Sequence, residues 1–324
     1  MTKDAPRVII MNDNAGPMAA RLREAVPEAV VAELTRYEDT EALLAEFRPD
    51  VVYSIKFAGN EGFPTEALFG PEGPEWVSVG GSGCDHLGTW DAGRVTVTNS
   101  AGVAAHMMAE YAFGCALHFS LDIDGLARDK AARRWDSARM MTPLKGKTLL
   151  IVGLGQTGQA VAARGQAFGM HVIGTRARPE PMEHLDEVHG ADDLPKLWGR
   201  AHMIVVAVPL LPSTRGLIGA EDFAAMKPSA ILVDVSRGGV IDSDALLEAL
   251  RSGRIAGAGL DVFAEEPLPE ESLFWKLDNI ILSPHASGVY EGWDVNSFDM
   301  FIENLKRWQR DETLSNIVDP TRGY

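Results

Sequence analysis

Cysteine is nearly absent from the 324 residues: Cys84 and Cys115 are the only two. Two cysteines make neither a disulfide framework nor the spacing of a zinc site, and they suit a reducing compartment. Basic residues are in the minority, 30 Lys and Arg against 46 Asp and Glu, for a formal net charge of −16. So acidic a chain repels nucleic acid and anionic lipid, and neither is expected as a partner. Any anionic ligand must be held by a local cluster of cations working against the global field. Long apolar runs are missing too. His, Glu or Pro breaks each one well short of the ~18 residues that a membrane-spanning helix needs, so no span is expected. The opening MTKDAPRVIIMNDN has an apolar run of only a few residues, which does not read as a secretory signal, and a cytoplasmic location is expected. Low-complexity segments and solenoid repeats are likewise missing, and 324 residues is comfortable for two domains.

What is present is a double alternation. Residues 1–99 carry the β-rich runs RVIIM, AVVAEL, DVVYSIK, WVSVG and VTVTN. The stretches GPMAARLREAV and DTEALLAEF between them place apolar residues at i, i+3 and i+4. Near-continuous apolar strands separated by amphipathic helices predict a parallel sheet covered on both faces. SAGVAAHMMAEYAFGCALHFSL (100–121) predicts a buried helix, its methionine pair serving as core filling. The polar ARDKAARRWDSARM predicts an exposed connection or arm. A second series then offers six strands, KTLLIVG, HVIGT, HMIVVAVP, AILVDVS, IAGAGLDV and NIILSP, with helical stretches between them. The fold class is therefore α/β, with two doubly wound parallel-sheet domains. The amphipathic tail WDVNSFDMFIENLKRWQRD is expected to return to the first domain. That makes 1–99 plus 293–324 one domain, flavodoxin-like, and 100–292 an inserted nucleotide-binding domain.

In the second series IVGLGQTG sets Gly153, Gly155 and Gly158 in G-x-G-x-x-G spacing, with an apolar strand before it and a helix after it. The first glycine permits the tight turn, the second lets backbone N–H groups approach a pyrophosphate, and the third lets helix and strand pack closely. Three later segments also follow strands, where ligands bind in open α/β sheets: DVSRGGVID, GLDVFAEEP and SPHASG. They supply Arg237, Glu266 and His285. A histidine that donates a proton to a carbonyl oxygen, a carboxylate that orients the imidazole and favours its charged form, and an arginine that clamps a substrate carboxylate suit carbonyl reduction beside a nicotinamide. His184, His189 and His202 show no ligand spacing, and no metal is expected; His106 and His118 fall on the predicted buried helix, where a hydrogen-bonded rather than a catalytic role is expected.

These segments, with VPLLPSTRGLI, resemble the D-isomer-specific 2-hydroxyacid dehydrogenase family over nearly the whole chain. The resemblance implies Arg237, His285 and, directly before Pro267, Glu266 rather than Glu265 as catalytic residues. It implies dinucleotide contacts from Leu154, Gln156 and Thr157 in the turn, from Val208, Pro209 and Thr214, from Val235 and Ser236, from Asp261 toward the nicotinamide amide, and from His285 and Ser287. VGGSGCDHL resembles the family's substrate loop, so the N–H groups of Gly81, Ser82 and Gly83 are expected to bind the substrate carboxylate. Tyr53, Lys56 and Phe57 end a strand expected to face the cleft, and Trp293 is expected to close over the substrate. The resemblance also implies a homodimer through the nucleotide domain.

Cofactor choice turns on what is missing from VIGTRARPEP. An NAD site usually has Asp or Glu about 20 residues beyond the glycines, to accept from the ribose 2′-OH. Here Thr175 stands at that place, followed by Arg176 and Arg178. A carboxylate would repel a 2′-phosphate, whereas arginine offers it a planar fork. NADP(H) is expected over NAD(H), with NAD(H) still possible. Family members with this pattern tend to be NADPH-dependent glyoxylate or hydroxypyruvate reductases. The alternatives are an NAD-dependent dehydrogenase of another branch and a non-catalytic dinucleotide sensor resembling the family's corepressors.

Overall fold

The computed structural model describes residues 4–55 and 62–322. It divides into two compact units, Met1–Val103 with Tyr290–Tyr324, and Ala104–Val289. In the first, the chain runs through β1 (Arg7–Met11), α1 (Ala15–Ala25), β2 (Val30–Leu34), α2 (Thr40–Phe47), β3 (Val51–Ser54), α3 (Thr65–Phe69), β4 (Trp76–Val79) and β5 (Thr96–Thr98). The five strands form one parallel sheet in the order β2-β1-β3-β4-β5. The period of two decides its layers. Val8 and Ile10 of β1 enter one apolar cluster with Ala19 and Leu22 of α1, while Ile9 and Met11 enter the opposite cluster with Leu44 of α2 and Leu68 of α3. A strand apolar at every position is therefore buried on both faces.

The second unit follows with α4 (Ala105–Ser120), α5 (Ile123–Ala131), β6 (Thr148–Val152), α6 (Gln156–Ala167), β7 (His171–Thr175), β8 (Glu187–His189), α7 (Leu194–Leu197), β9 (Met203–Val206), α8 (Ala220–Ala225), β10 (Ile231–Asp234), α9 (Ser243–Arg251), β11 (Gly257–Leu260) and β12 (Ile280–Leu282). Seven parallel strands pair in the order β12-β11-β10-β9-β6-β7-β8. The order reverses between β6 and β9, which is the switch point where such sheets take ligands. Leu150 and Val152 of β6 face α8 and α9, and Leu149 and Ile151 face α4 and α6. The small buried residues Ala109, Ala112 and Ala116 let α4 lie close to the sheet. A side chain at Gly259 would reach within 2.5 Å of the Cys115 sulfur, which is why IAGAGL reads as a strand with little to pack. In α9 the side chain of Asp242 accepts from the N–H of Ala245 at 2.8 Å, and Leu246, Ala249 and Leu250 form its buried stripe.

Two expectations are corrected. The sheet has seven strands, not six. The extra one, β8, is the charged tripeptide Glu-Val-His at the sheet edge, which carries no apolar run. It is fixed by side-chain hydrogen bonds: the Glu187 carboxylate accepts from His171 at 2.8 Å, from His189 at 2.9 Å and from Arg200 at 2.9 Å. Those bonds, Arg200's first, hold Glu187 well below the usual carboxylate range. The arm, too, begins as helix. Asp122, at φ +47°, caps α5 through Gly125, and Arg139 and Arg134 close onto Asp129 and Asp122.

The chain returns to the first unit as α10 (Trp293–Gln309). Phe298, Phe301, Ile302 and Leu305, at helical spacing, join the cluster of Val8, Ile10, Tyr53 and Trp76. Arg21 of α1 grips Asp299 of α10 through two bonds of 2.6 Å.

Candidate functional site

The glycine turn lies between β6 and α6 at the switch point. Gly153 has φ +102°, and a Cβ there would stand 2.6 Å from the Ala207 carbonyl oxygen. A Cβ on Gly158 would stand 2.0 Å from the Gly153 carbonyl oxygen, whereas one on Gly155 would meet nothing within 4 Å. Two glycines therefore serve packing, and the third keeps space open at the N-terminus of a 12-residue helix. A cradle of backbone donors that a methyl group would fill, at the positive end of a helix, fits a dinucleotide pyrophosphate. Leu154 is buried beneath the turn against Gly174, Gln156 is exposed, and the Thr157 hydroxyl meets the Met108 sulfur at 3.6 Å. Met108 thus supports the turn as well as the core.

Beside the turn, the N–H of Gly153 donates to the Thr175 carbonyl at 3.1 Å, and Thr175 is buried at the end of β7. The N–H of Arg176 donates to the His189 carbonyl at 3.1 Å, and its guanidinium pairs with Glu180 at 2.7 Å. Arg178 is exposed. After β9, Val208 and Pro209 are half-buried, and the Thr214 hydroxyl closes their loop by donating to the Pro209 carbonyl at 2.6 Å. After β10 come the buried Val235 and Ser236 and the half-buried Arg237, which donates to the Ser236 carbonyl at 2.7 Å.

The loop after β12 hangs on Asp261. This buried carboxylate accepts from the N–H groups of Ala286 at 2.8 Å and Ser287 at 2.9 Å, and from the hydroxyls of Ser283 and Ser287. Its carbonyl accepts from the N–H of His285 at 2.9 Å. His285 is thereby held at φ +53°, a conformation rare for a side chain of its size. The imidazole Nδ1 lies 2.8 Å from Glu266 Oε2, and Oε1 of the same carboxylate accepts from the N–H of Phe263 at 2.9 Å. A carboxylate only accepts, so Nδ1 carries the hydrogen and Nε2 is left for a ligand. Both side chains are partly exposed. The expected residues of the second unit thus lie at the carboxyl ends of one parallel sheet. Among the described residues no three His, Cys, Asp or Glu side chains are grouped to hold a metal.

Sequence reading passed over two residues here. Gly238 lets the Arg237 loop touch the Glu266 loop, since a Cβ would fall 1.8 Å from the Phe263 carbonyl oxygen. The doubled glycine after Arg237 was its signal. Asp234, at the end of β10, is buried and accepts from the N–H of Ser236 at 3.0 Å and from its hydroxyl. Burial pushes its carboxyl up to about 7, the Ser236 bonds oppose that, and nearby Asp261 adds to it.

In the first unit, the loop after β4 has its carbonyls tied down. Gly80 accepts from the Ser297 hydroxyl at 2.6 Å, Gly81 from the N–H of Ser100 at 3.0 Å and Ser82 from the Asn99 amide at 2.8 Å. No described residue accepts from the N–H groups of Gly81, Ser82 or Gly83. Ser297 is a third residue the sequence reading missed, because a serine inside a helix carries no motif. Tyr53 is a correction. Rather than facing a cleft it is buried, 3.1 Å from the Ser297 hydroxyl and packed on Phe298 and Phe301, so its place is the core. Burial also raises its phenol above the ordinary range. Lys56 and Phe57 lie outside the described residues. Trp293, half-buried, opens α10 in this unit.

Residues 113–287 match the family model described as D-isomer specific 2-hydroxyacid dehydrogenase, NAD binding domain. A D-3-phosphoglycerate dehydrogenase of Methanocaldococcus jannaschii is 37% identical over 227 residues, covering 69% of this chain but only 43% of that protein. A glyoxylate reductase of Thermococcus litoralis is 37% identical over 237 residues, 69% of this chain and 70% of that one. A D-isomer specific 2-hydroxyacid dehydrogenase from Xanthobacter autotrophicus Py2, solved in complex with NADPH and MES, has a TM-score of 0.83 at 30% identity over 99% of this chain and 100% of that one.

Proposed function

The chain belongs to the D-isomer specific 2-hydroxyacid dehydrogenase family, and from that premise we propose that it is an NADPH-dependent reductase of small 2-oxo acids, of the glyoxylate or hydroxypyruvate type, yielding D-2-hydroxy acids. The observation that carries this is the Glu266–His285 pair, 2.8 Å apart at the ends of the same sheet whose switch point holds the glycine turn. The reduced nicotinamide supplies the hydride when bound. The turn 153–158, Val208 to Thr214, Val235, Ser236, Asp261 and Ser287 hold the dinucleotide in the 104–289 unit.

His285 gives its Nε2 proton to the carbonyl oxygen as the carbon is reduced. Glu266 fixes the ring and stabilises it while charged. Arg237 binds the substrate carboxylate and polarises the carbonyl. In the first unit, the N–H groups of Gly81, Ser82 and Gly83 and the side chain of Trp293 are the candidates for substrate contact. NADP(H) is preferred because Thr175 brings no charge, while Arg176 and Arg178 follow it. A phosphorylated substrate is disfavoured, since VGGSGCDHL has no Lys or Arg.

We place the protein in the cytoplasm, which its two free, buried cysteines suit. No helix among the described residues is long and apolar enough to cross a membrane. The homodimer is proposed to form through the nucleotide unit, where Trp135 and Met140 stand 95% and 91% exposed. A solution mass of one chain would remove it. The function is tested by following NADPH oxidation with glyoxylate, hydroxypyruvate, pyruvate and 3-phosphohydroxypyruvate. Turnover fastest with the first two supports the reading. A chain that binds NADPH and turns over none of them is a sensor instead.

A further inference from the structure

The acidic residue missing at position 175 has a counterpart five residues on. Glu180 Oε1 lies 2.7 Å from a guanidinium nitrogen of Arg176, and the Met182 sulfur lies 3.2 Å from the same nitrogen. Two features separate this pair from an ordinary surface contact. The backbone of Arg176 is fixed, its N–H held by the His189 carbonyl at 3.1 Å, and His189 belongs to the strand that Glu187 anchors. Glu180 stands between Pro179 and Pro181, and Pro181 narrows the backbone of Glu180 to extended conformations as Pro179 does that of Arg178. The loop therefore has little backbone freedom left to lose when the pair forms. Arg178, two residues from Arg176, is exposed and makes no ion pair with any described residue.

We propose that Glu180 is a specificity-determining residue: its carboxylate occupies Arg176 as a resident counter-anion, and a 2′-phosphate must displace it. The proposal rests on the NADP reading above. With NADP(H), Arg176 turns from Glu180 to the phosphate, and the displaced carboxylate stays nearby as a like charge. With NAD(H), the Arg176–Glu180 pair stays closed, so the Arg176 charge is not left bare. Glu180 thus lowers the preference for the 2′-phosphate that Arg176 and Arg178 create, and keeps NAD(H) usable.

The test is calorimetric titration of the whole chain with adenosine 2′,5′-bisphosphate and with AMP, which differ only in the 2′-phosphate and need no turnover. Glu180→Gln should raise the ratio of the two affinities by about five-fold, the upper end of what an exposed pair contributes, by tightening the bisphosphate and leaving AMP unchanged. In an Arg176→Ala background the same substitution should have a much smaller effect. A bisphosphate preference that Glu180→Gln leaves unmoved or lowers overturns the proposal alone, as does weaker AMP binding, which would make Glu180 a ribose ligand. If the unaltered chain binds both ligands equally, the NADP reading falls, and the proposal with it.

Discussion

Gly155→Ala separates binding from folding in the glycine turn. An added Cβ meets no atom within 4 Å, and the backbone there, at φ −73°, is open to alanine. Alanine is a poorer N-cap than glycine, so the fold should lose no more than about 1 kcal/mol. The dinucleotide should lose more. A methyl group keeps an oxygen about 3.5 Å away, where N–H donors need it near 2.9 Å. One charge-assisted hydrogen bond of about 1.5–3 kcal/mol is then broken, and affinity should fall about 10- to 100-fold. Gly158→Ala makes the contrast. Alanine gains about 1 kcal/mol of helix propensity over glycine. Its Cβ would lie 2.0 Å from a backbone oxygen, however, and overpacking of that kind costs about 1–3 kcal/mol or more. The clash wins, and stability and binding should fall together. NADPH fluorescence titration and thermal melting of both variants are the assay. If Gly155→Ala binds NADPH within two-fold of the unaltered chain, or melts as early as Gly158→Ala, this turn does not cradle the pyrophosphate.

His285→Gln should lower kcat about 10²- to 10⁴-fold with NADPH affinity nearly unchanged, because only the proton donor is lost; an unaltered kcat across a panel of 2-oxo acids would remove His285 from the reaction. Ser297→Ala should raise KM for the oxo acid and weaken oxalate binding while leaving NADPH affinity alone. It frees the buried Gly80 carbonyl that orients the loop, at about 1–3 kcal/mol, and equal oxalate affinity in the variant would count against that role. Asp234 makes stability depend on pH. Its folded carboxyl titrates at about 7 against an ordinary 3.8, so between those values the folded state binds more protons than the unfolded one. Its contribution to stability then falls as pH rises through that window and levels off above it. Asp234→Asn, whose amide oxygen still accepts from Ser236, should be less sensitive to pH in urea melts at pH 5 and pH 8; an unchanged difference between the two would show that Asp234 is not the group titrating.

The strands were legible wherever both faces are buried. RVIIM and TLLIV are apolar throughout because helices cover each side, and the structure gives both as strands at the expected places. β8 was not legible, because an edge strand of three residues is held by the hydrogen bonds of Glu187 with partners up to 16 residues away. The positions of Arg237, Glu266 and His285 after successive strands could be read because each lies in a segment with its own signature. What supports them could not. Asp261 was read as a nicotinamide contact, and its four hydrogen bonds to the 283–287 loop appear only once β11 and β12 are paired. Ser297 and Gly80 are 217 residues apart, and no local pattern links them. Tyr53 was misplaced for a related reason: in a strand buried on both faces, alternation does not say which side chains reach a ligand.

The most direct measurement is steady-state reduction of glyoxylate by the unaltered chain, with NADPH and NADH each varied at saturating oxo acid. The account predicts turnover with both and a kcat/KM for NADPH at least about ten-fold higher, the equivalent of about 1.4 kcal/mol from Arg176 and Arg178. A higher kcat/KM for NADH would contradict it.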